Sequence, residues 1–409
     1  MDDLTLATSS IGLDATVAST SNPDRIAGPP SSGTLPRSTV LPRVEMVGAI
    51  PRLVVQGKPR YERTRRLGAG GLGEVDGARD NDIGRDVAVK RLRPEVTSNA
   101  ALARFVEEVR TIGRLEHPNI VPIHDVGVDE RGEYYFVMKY VDGETLESIV
   151  EKLAAGDAEY HARYGFERRV QIFMALLEAV AFAHAKGIVH RDIKPANVMV
   201  GQYGEVVLMD WGIAKRLRGE GEAPIEGAPA PAGTAKRGAL FATMAGEIVG
   251  TPAYMSPEQA RAEAVDERTD LYSLSVLLHE FLSLHHPLET KQTLKEMLEG
   301  VIHEPAPLAG LITSPYQPRV PMDLSWFVRK GLAKHPANRY ASAQEMIERL
   351  TRRAEGEVPV NCHVTFMRKM TVGATRFVDR SPFVASAVFF ATVIAAGAGV
   401  VATVVHAFG

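Results

Sequence analysis

The feature that most narrows what this chain can become is the run from Val189 to Gly212, VHRDIKPANVMVGQYGEVVLMDWG. It holds the pattern H-R-D-x-K-x-x-N from His190 to Asn197, and thirteen residues after Asn197 an Asp-Trp-Gly triplet opens at Asp210. A His-Arg-Asp triplet alone reads as a surface ion pair beside a helix end. The longer pattern is specific because its residue types answer one chemical need. Phosphoryl transfer needs a carboxylate to orient the attacking hydroxyl, a cation beside the moving group and oxygen ligands for magnesium. Asp192, Lys194, and the pair Asn197 and Asp210 suit those tasks in that order. Val198-Met199-Val200, a turn from Gly201 to Gly204, and Val206-Val207-Leu208 read as a β-hairpin between the last two. Such a hairpin brings Asn197 and Asp210 close enough to share metal ions.

Upstream, Leu67-Gly68-Ala69-Gly70-Gly71-Leu72-Gly73-Glu74-Val75 matches G-x-G-x-x-G-x-V. Glycines there let backbone amides approach phosphate oxygens without a Cβ clash. A dinucleotide fold places this motif between a strand and a helix. Here a second strand follows instead, Val87-Ala88-Val89-Lys90, of the V-A-[IV]-K type. Asn99 to Leu115 reads as an amphipathic helix, with Leu102, Phe105, Val106, Val109 and Ile112 on one face and Glu108 at its edge. Val121–Val128 and Tyr134–Val141 are β-rich runs split by Asp129-Glu130-Arg131-Gly132, a hairpin signal.

Together with RDIKPANVMV and GTPAYMSPEQA, these motifs make residues 61–350 resemble the eukaryotic-like protein kinase family, and within it the bacterial transmembrane Ser/Thr kinases. The resemblance implies an α+β, bilobal fold. A β-rich small lobe with one helix would cover about 61–141, and a mainly helical large lobe about 142–350. It implies that Asp192 is the catalytic base and that Lys194 steadies the transferred group and favours Ser/Thr over Tyr. It implies that Asn197 and Asp210 hold magnesium, with manganese as an alternative ion. Lys90 would hold the ATP phosphates, paired with Glu108 rather than with the solvated Glu107. Leu67, Gly68, Gly70 and Gly73 would line the phosphates. Val75 and Ala88 would cover the adenine from above and Met199 from below. Met138 would guard the pocket, and Lys139-Tyr140-Val141 would form the hinge. Thr251 would bridge Asp192 and Lys194, Glu258 would pair with Arg339, and Asp270 would hydrogen-bond the catalytic-loop backbone. Arg191 would receive a phosphate on the activation segment, for which Thr243 is the best-placed acceptor.

Four positions depart from the family pattern: Asp76 replaces an aromatic residue, Lys139 a glutamate, Trp211 a phenylalanine and Ser256 an alanine. Because backbone groups grip adenine, little damage to ATP binding is expected from the Lys139 change, and the last two are mild. A scaffold without turnover would have lost Lys90, Asp192 or Asp210, and all three are present. A kinase of small molecules is disfavoured by Gly250-Thr251-Pro252 and Glu258, which resemble a peptide-binding platform. Protein substrates are the expected partners.

The flanks set the remaining expectations. Residues 1–58 are rich in Ser, Thr, Pro and Gly and read as a disordered tail, with no apolar signal-peptide core. An insertion rich in Pro, Gly and Ala falls between about 217 and 240. The net charge is −3 and no basic field favours nucleic acid. Cys362 is the single cysteine, so no intramolecular disulfide forms, in keeping with a reducing cytoplasm. Residues 351–380 read as a linker carrying Arg352, Arg353, Arg368, Lys369, Arg376 and Arg380. Pro382 to Val405 carries no charge over 24 residues, roughly 36 Å of helix, enough for a ~30 Å hydrocarbon core. The expectation is a transmembrane helix with the kinase domain in the cytoplasm and the C-terminus outside. With the chain ending at Gly409, no extracellular sensor is expected. Small residues at Ala387, Ala391, Ala395, Gly399 and Thr403 suggest a homodimer seam along that helix.

Overall fold

The computed structural model describes residues 38–47, 50–54, 58–69, 73–92, 99–129, 132–211, 215–216 and 252–357, and scattered positions between 365 and 394. Strands β1 (Arg43–Val47) and β2 (Ile50–Val54) pair antiparallel, inside a stretch expected to lack structure. Alternating apolar residues supply the reason: Val44 faces Leu53 across the pair. The segment is also hooked to the domain, since Asp82 Oδ1 accepts the N–H groups of Val40 and Leu41 at 2.8 and 3.0 Å.

Five strands form the small lobe: β3 (Tyr61–Ala69), β4 (Gly73–Asp80), β5 (Arg85–Leu92), β6 (Ile123–Val128) and β7 (Tyr134–Lys139). Their spatial order is β3-β4-β5-β7-β6, antiparallel throughout. The two-residue period sorts β5 into two faces. Val87 and Val89 join Ala78, Tyr135 and Val137 in a buried cluster on the outer face. Ala88 and Lys90 point the other way, and their partners in register are Met138 and Phe136. Helix α1 (Asn99–Ile112) packs on this inner side, with Phe105 tilted against Phe136 at 5.4 Å between centroids. The predicted helix stops at Ile112 rather than Leu115, where the Gly113 and Arg114 amides close the last turn.

The large lobe begins at β8 (Gly143–Thr145) and α2 (Leu146–Ala154), which Thr145 caps by accepting the Ser148 N–H at 3.2 Å. Then come α3 (Ala158–Arg163), α4 (Phe166–Ala185), and strands β9 (Ile188–Val189), β10 (Val198–Gly201), β11 (Val206–Leu208) and β12 (Lys215–Arg216). Five helices finish the lobe: α5 (Pro257–Ala260), α6 (Glu267–Ser283), α7 (Leu294–His303), α8 (Met322–Gly331) and α9 (Ala343–Ala354). Helix α6 is its axis, with Leu271, Leu274, Leu277, Leu278 and Phe281 fully buried. It starts at Glu267, where Asp266 caps it by accepting the Arg268 N–H at 2.9 Å. A single buried cluster runs from Leu92 and Phe105 through both lobes to Leu350.

Two expectations about the C-terminal flank change. Helix α9 runs through Thr351–Ala354, which the sequence reading placed in a linker. Arg353 is buried there, with Nε 2.6 Å from Asp323 and its two Nη atoms each 2.9 Å from Glu167. The transmembrane helix expected over 382–405 is withdrawn: among the described residues no helix is long and apolar enough to cross a membrane. The helical positions described there are 382–387, 390, 391 and 394, short of the ~20 continuous apolar residues a bilayer needs. The remainder of 382–405 lies outside the described residues, and the seam proposed along it loses its premise.

Candidate active site

The loop from His190 to Asn197 hangs from α6. Asp270, fully buried, accepts the backbone N–H of His190 and of Arg191 at 2.8 Å each and lies 2.8 Å from His184 Nε2. Burial works against its ionisation, but these contacts outweigh it and hold the carboxyl below the usual range. Arg191 needs such anchoring, since its φ of +72° lies in the left-handed region. Its carbonyl is pinned from the other side by Gln259 Nε2 at 2.9 Å.

Beyond that strained residue the side chains converge. Lys194 Nζ donates to Asp192 Oδ2 at 2.8 Å, and Asn197 Nδ2 donates to the Asp192 carbonyl at 2.8 Å and to Oδ2 at 3.2 Å. Asp192 is thus oriented by two neighbours from its own loop. The predicted hairpin is present: β10 pairs β11 with Val198 opposite Leu208 and Met199 opposite Val207. This register sets Met209 against Asn197, whose carbonyl accepts the Met209 N–H at 2.9 Å, and delivers Asp210 beside Asn197. Trp211 follows, 1% exposed, its ring 4.5 Å from that of His190.

The small lobe contributes Lys90. Its Nζ lies 2.5 Å from Glu108 Oε1 and 3.2 Å from Asp210 Oδ1, so it ties α1 to the catalytic hairpin. Burial disfavours the ammonium, but the two carboxylates outweigh it and Lys90 stays protonated. Burial likewise opposes the charge on Asp210, yet Lys90 holds its carboxyl below the ordinary range.

Strand register explains the rest of the cleft. Val75 lies opposite Lys90, and Ala88 opposite Met138, so all four share the inner face. Tyr140 and buried Val141 continue into the large lobe, and Met199 comes up from β10 beneath. Leu67 and Gly68 end β3, where Gly68 pairs with Val75. Gly73 is needed for space: a Cβ there would lie 2.3 Å from the Arg91 carbonyl oxygen. Gly70, Thr243 and Thr251 lie outside the described residues. Asn197, Asp210 and Asp192 offer the hard oxygen atoms that magnesium prefers, so this donor set fits the ion.

Several supporting residues escaped the sequence reading. Gln259 had a signal, because Ser256-Pro257-Glu258-Gln259 is a capping box, and both of its reciprocal hydrogen bonds form. Ser256 is therefore more than a mild replacement. His184 had no local signal, since its partner is 86 residues away. Asp76 is buried and held by Arg63 at 2.7 Å and Arg91 at 3.5 Å, so the lost aromatic is replaced by a clasp across β3, β4 and β5.

Comparison with known proteins places this geometry. A protein kinase domain model matches residues 61–350. The chain is similar to the serine/threonine-protein kinase PknD of Chlamydia trachomatis, 33% identical over 323 residues, covering 76% of this chain and 33% of that protein. It is 37% identical to the serine/threonine-protein kinase PknB of Mycolicibacterium smegmatis over 304 residues, covering 73% of this chain and 44% of that one. A probable serine/threonine-protein kinase of Streptomyces coelicolor is 37% identical over 295 residues, 70% of this chain and 39% of its own. The matched stretch thus spans between a third and under half of these relatives' lengths.

Proposed function

The chain belongs to the protein kinase family, and on that premise we propose that it transfers the γ-phosphoryl group of ATP to serine and threonine hydroxyls of proteins. The observation that carries this reading is Lys90, 2.5 Å from Glu108 and 3.2 Å from Asp210, with the complete Asp192, Lys194 and Asn197 set on the adjoining loop. A binding scaffold without turnover has no use for that full constellation.

Each residue then has a task. Asp192, its carboxylate oriented by Lys194 and Asn197, accepts the proton of the attacking hydroxyl. Lys194 places positive charge beside that carboxylate, where negative charge gathers on the moving group. Lys90 steadies the ATP phosphates while Glu108 fixes the direction of its stem. Asn197 and Asp210 would hold magnesium, which neutralises phosphate charge when bound. The inner faces of β4, β5 and β7 cover the adenine ring.

The test is transfer from γ-labelled ATP to a mixed protein substrate, followed by phosphoamino-acid analysis. Label on serine and threonine is expected, with Asp192→Asn lowering the rate about 10²–10⁴-fold. Undiminished transfer by that variant, or label on tyrosine alone, would overturn the reading. Autophosphorylation at Thr243 belongs to the same proposal, because the guanidinium Nε of Arg191 is buried without a partner among the described residues. Two copies meeting in trans would make its rate per molecule rise with concentration. Full activity of Thr243→Ala would remove it.

A further inference from the structure

We propose that Lys139 and Glu205 form a latch across the two lobes that sets how firmly the cleft closes on its nucleotide, an inference that rests on the kinase reading above. Lys139 is the last residue of β7, on the small-lobe side of the hinge. Its Nζ lies 3.4 Å from Oε1 of Glu205, which sits in the β10–β11 turn of the large lobe. A glutamate in place of Lys139 would repel Glu205.

The Glu205 side chain lies close against its own turn. A Cβ on Gly201 would lie 2.5 Å from both Cγ and Cδ of Glu205 and 2.8 Å from its Oε2. Glu205 therefore lies across the bare backbone of Gly201. The φ of Gly201 is not positive, so space rather than backbone freedom calls for the glycine. The same turn is tied to the first large-lobe residue after the hinge. Gln202 donates to Asp142 through its side chain at 2.6 Å and through its backbone N–H at 3.0 Å. At its far end the hairpin carries Asn197 and Asp210. One short element thus joins a charge contact with the small lobe to the proposed metal ligands.

The magnitude suits a latch. The side chains are 41% and 32% exposed. A pair so placed contributes about 1.4- to 5-fold to an equilibrium constant and weakens with salt. That is too little to hold the fold together but enough to bias an opening and closing equilibrium that is itself nearly balanced. A ligand that binds the closed form has an apparent affinity that scales with the closed population.

The test is a charge-swap cycle on the full chain, read by magnesium-ADP binding in calorimetry and by the split between ATP KM and kcat. Glu205→Lys and Lys139→Glu should each weaken ADP binding and raise ATP KM about threefold, with kcat changed much less for Glu205→Lys. The double swap should restore affinity to near the wild-type value, and the wild-type advantage should shrink in high salt. Gly201→Ala, which alters neither charge, should reproduce the Glu205→Lys loss by displacing the carboxylate. Single variants with unchanged affinity, or a double swap equal to the sum of its parts, would overturn the latch. Wild-type chain that binds ADP without transferring phosphate would defeat the kinase reading and leave the cycle readable. Wild-type chain that binds no nucleotide would defeat both.

Discussion

Two buried ion pairs in this molecule look alike and do opposite work. In the large lobe, Arg339 meets Glu258 with two nitrogen–oxygen contacts of 2.7 Å. Its remaining donors go to the carbonyls of Ala333, Arg268 and Lys334, so all five guanidinium N–H groups are used. Thr269 donates a further bond to Glu258 at 2.8 Å. Between the lobes, Lys90 meets Glu108 at 2.5 Å, but Oε2 of Glu108 has no partner among the described residues. Lys90 also divides itself with Asp210, whose side chain is 48% exposed. Burial and a short contact therefore do not separate a structural pair from a functional one. Completeness does: the saturated pair is finished without a ligand, and the other leaves charge for a ligand to complete.

The comparison breaks first, if it breaks, on Arg339. Arg339→Ala leaves Glu258 buried and unpaired, and should cost about 3–5 kcal/mol of stability in denaturant unfolding. The surviving folded fraction should keep its nucleotide affinity. A loss below about 1 kcal/mol would mean that the saturated pair is not what holds α5 to the lobe. Lys90→Met is the complement. Phosphoryl transfer should fall about 10²–10³-fold while the unfolding midpoint moves less than for Arg339→Ala, because burial already pushes the Glu108 carboxyl up and lets it take a proton once Lys90 is gone. A large drop in stability with modest loss of rate would erase the distinction.

Acid sharpens it next. Burial opposes ionisation of Glu258, but Arg339 and Thr269 outweigh burial and hold its carboxyl below the usual range, as the contacts of Asp270 do for that residue. Both are depressed carboxyls, so their stabilisation is full above the unfolded value of about 4 and is lost as pH falls through the lower folded values. Unfolding free energy should decline below that pH by up to ~1.4 kcal/mol per unit for each group. In Arg339→Ala the Glu258 share of that slope should vanish. The smallest effect is expected at Trp211, 1% exposed with its indole N–H unpartnered among the described residues. Trp211→Phe removes that orphan donor at the expense of some packing, and the two should cancel to within about 1.5 kcal/mol. Thermal unfolding measures the balance, and a larger loss would show that the indole has a partner.

Much of this was legible in the chain. The hairpin over 198–208 follows from two β-rich runs around a glycine-bounded turn, and the structure pairs them, with Val198 opposite Leu208. The apolar face of α6 is written in residues at helical spacing, and Leu271, Leu274, Leu277, Leu278 and Phe281 are all fully buried. The β1–β2 pair was not readable, because its few alternating residues sit in a composition typical of tails. Arg353 was misplaced in a linker, since an arginine near a helix end looks solvated until Asp323 and Glu167 appear beside it. The transmembrane expectation over 382–405 rested on composition and length alone, and among the described residues no helix is long and apolar enough to cross a membrane.

By itself the sequence determined which chemistry is on offer. Asp192, Lys194, Asn197 and Asp210 fall within one short stretch, on a local loop and hairpin that Asp270 and Gln259 anchor from outside it. It also determined where the 198–208 hairpin and the helix that carries Glu108 run, because periodicity is a property of neighbours. Only the tertiary structure decided which charges are finished and which are left open. Lys90 meets Glu108 and Asp210 from 18 and 120 residues away, and Glu258 meets Arg339 from 81. Saturation of a buried charge depends on every donor that packing brings near it, and those donors are scattered through the chain without a local pattern to announce them.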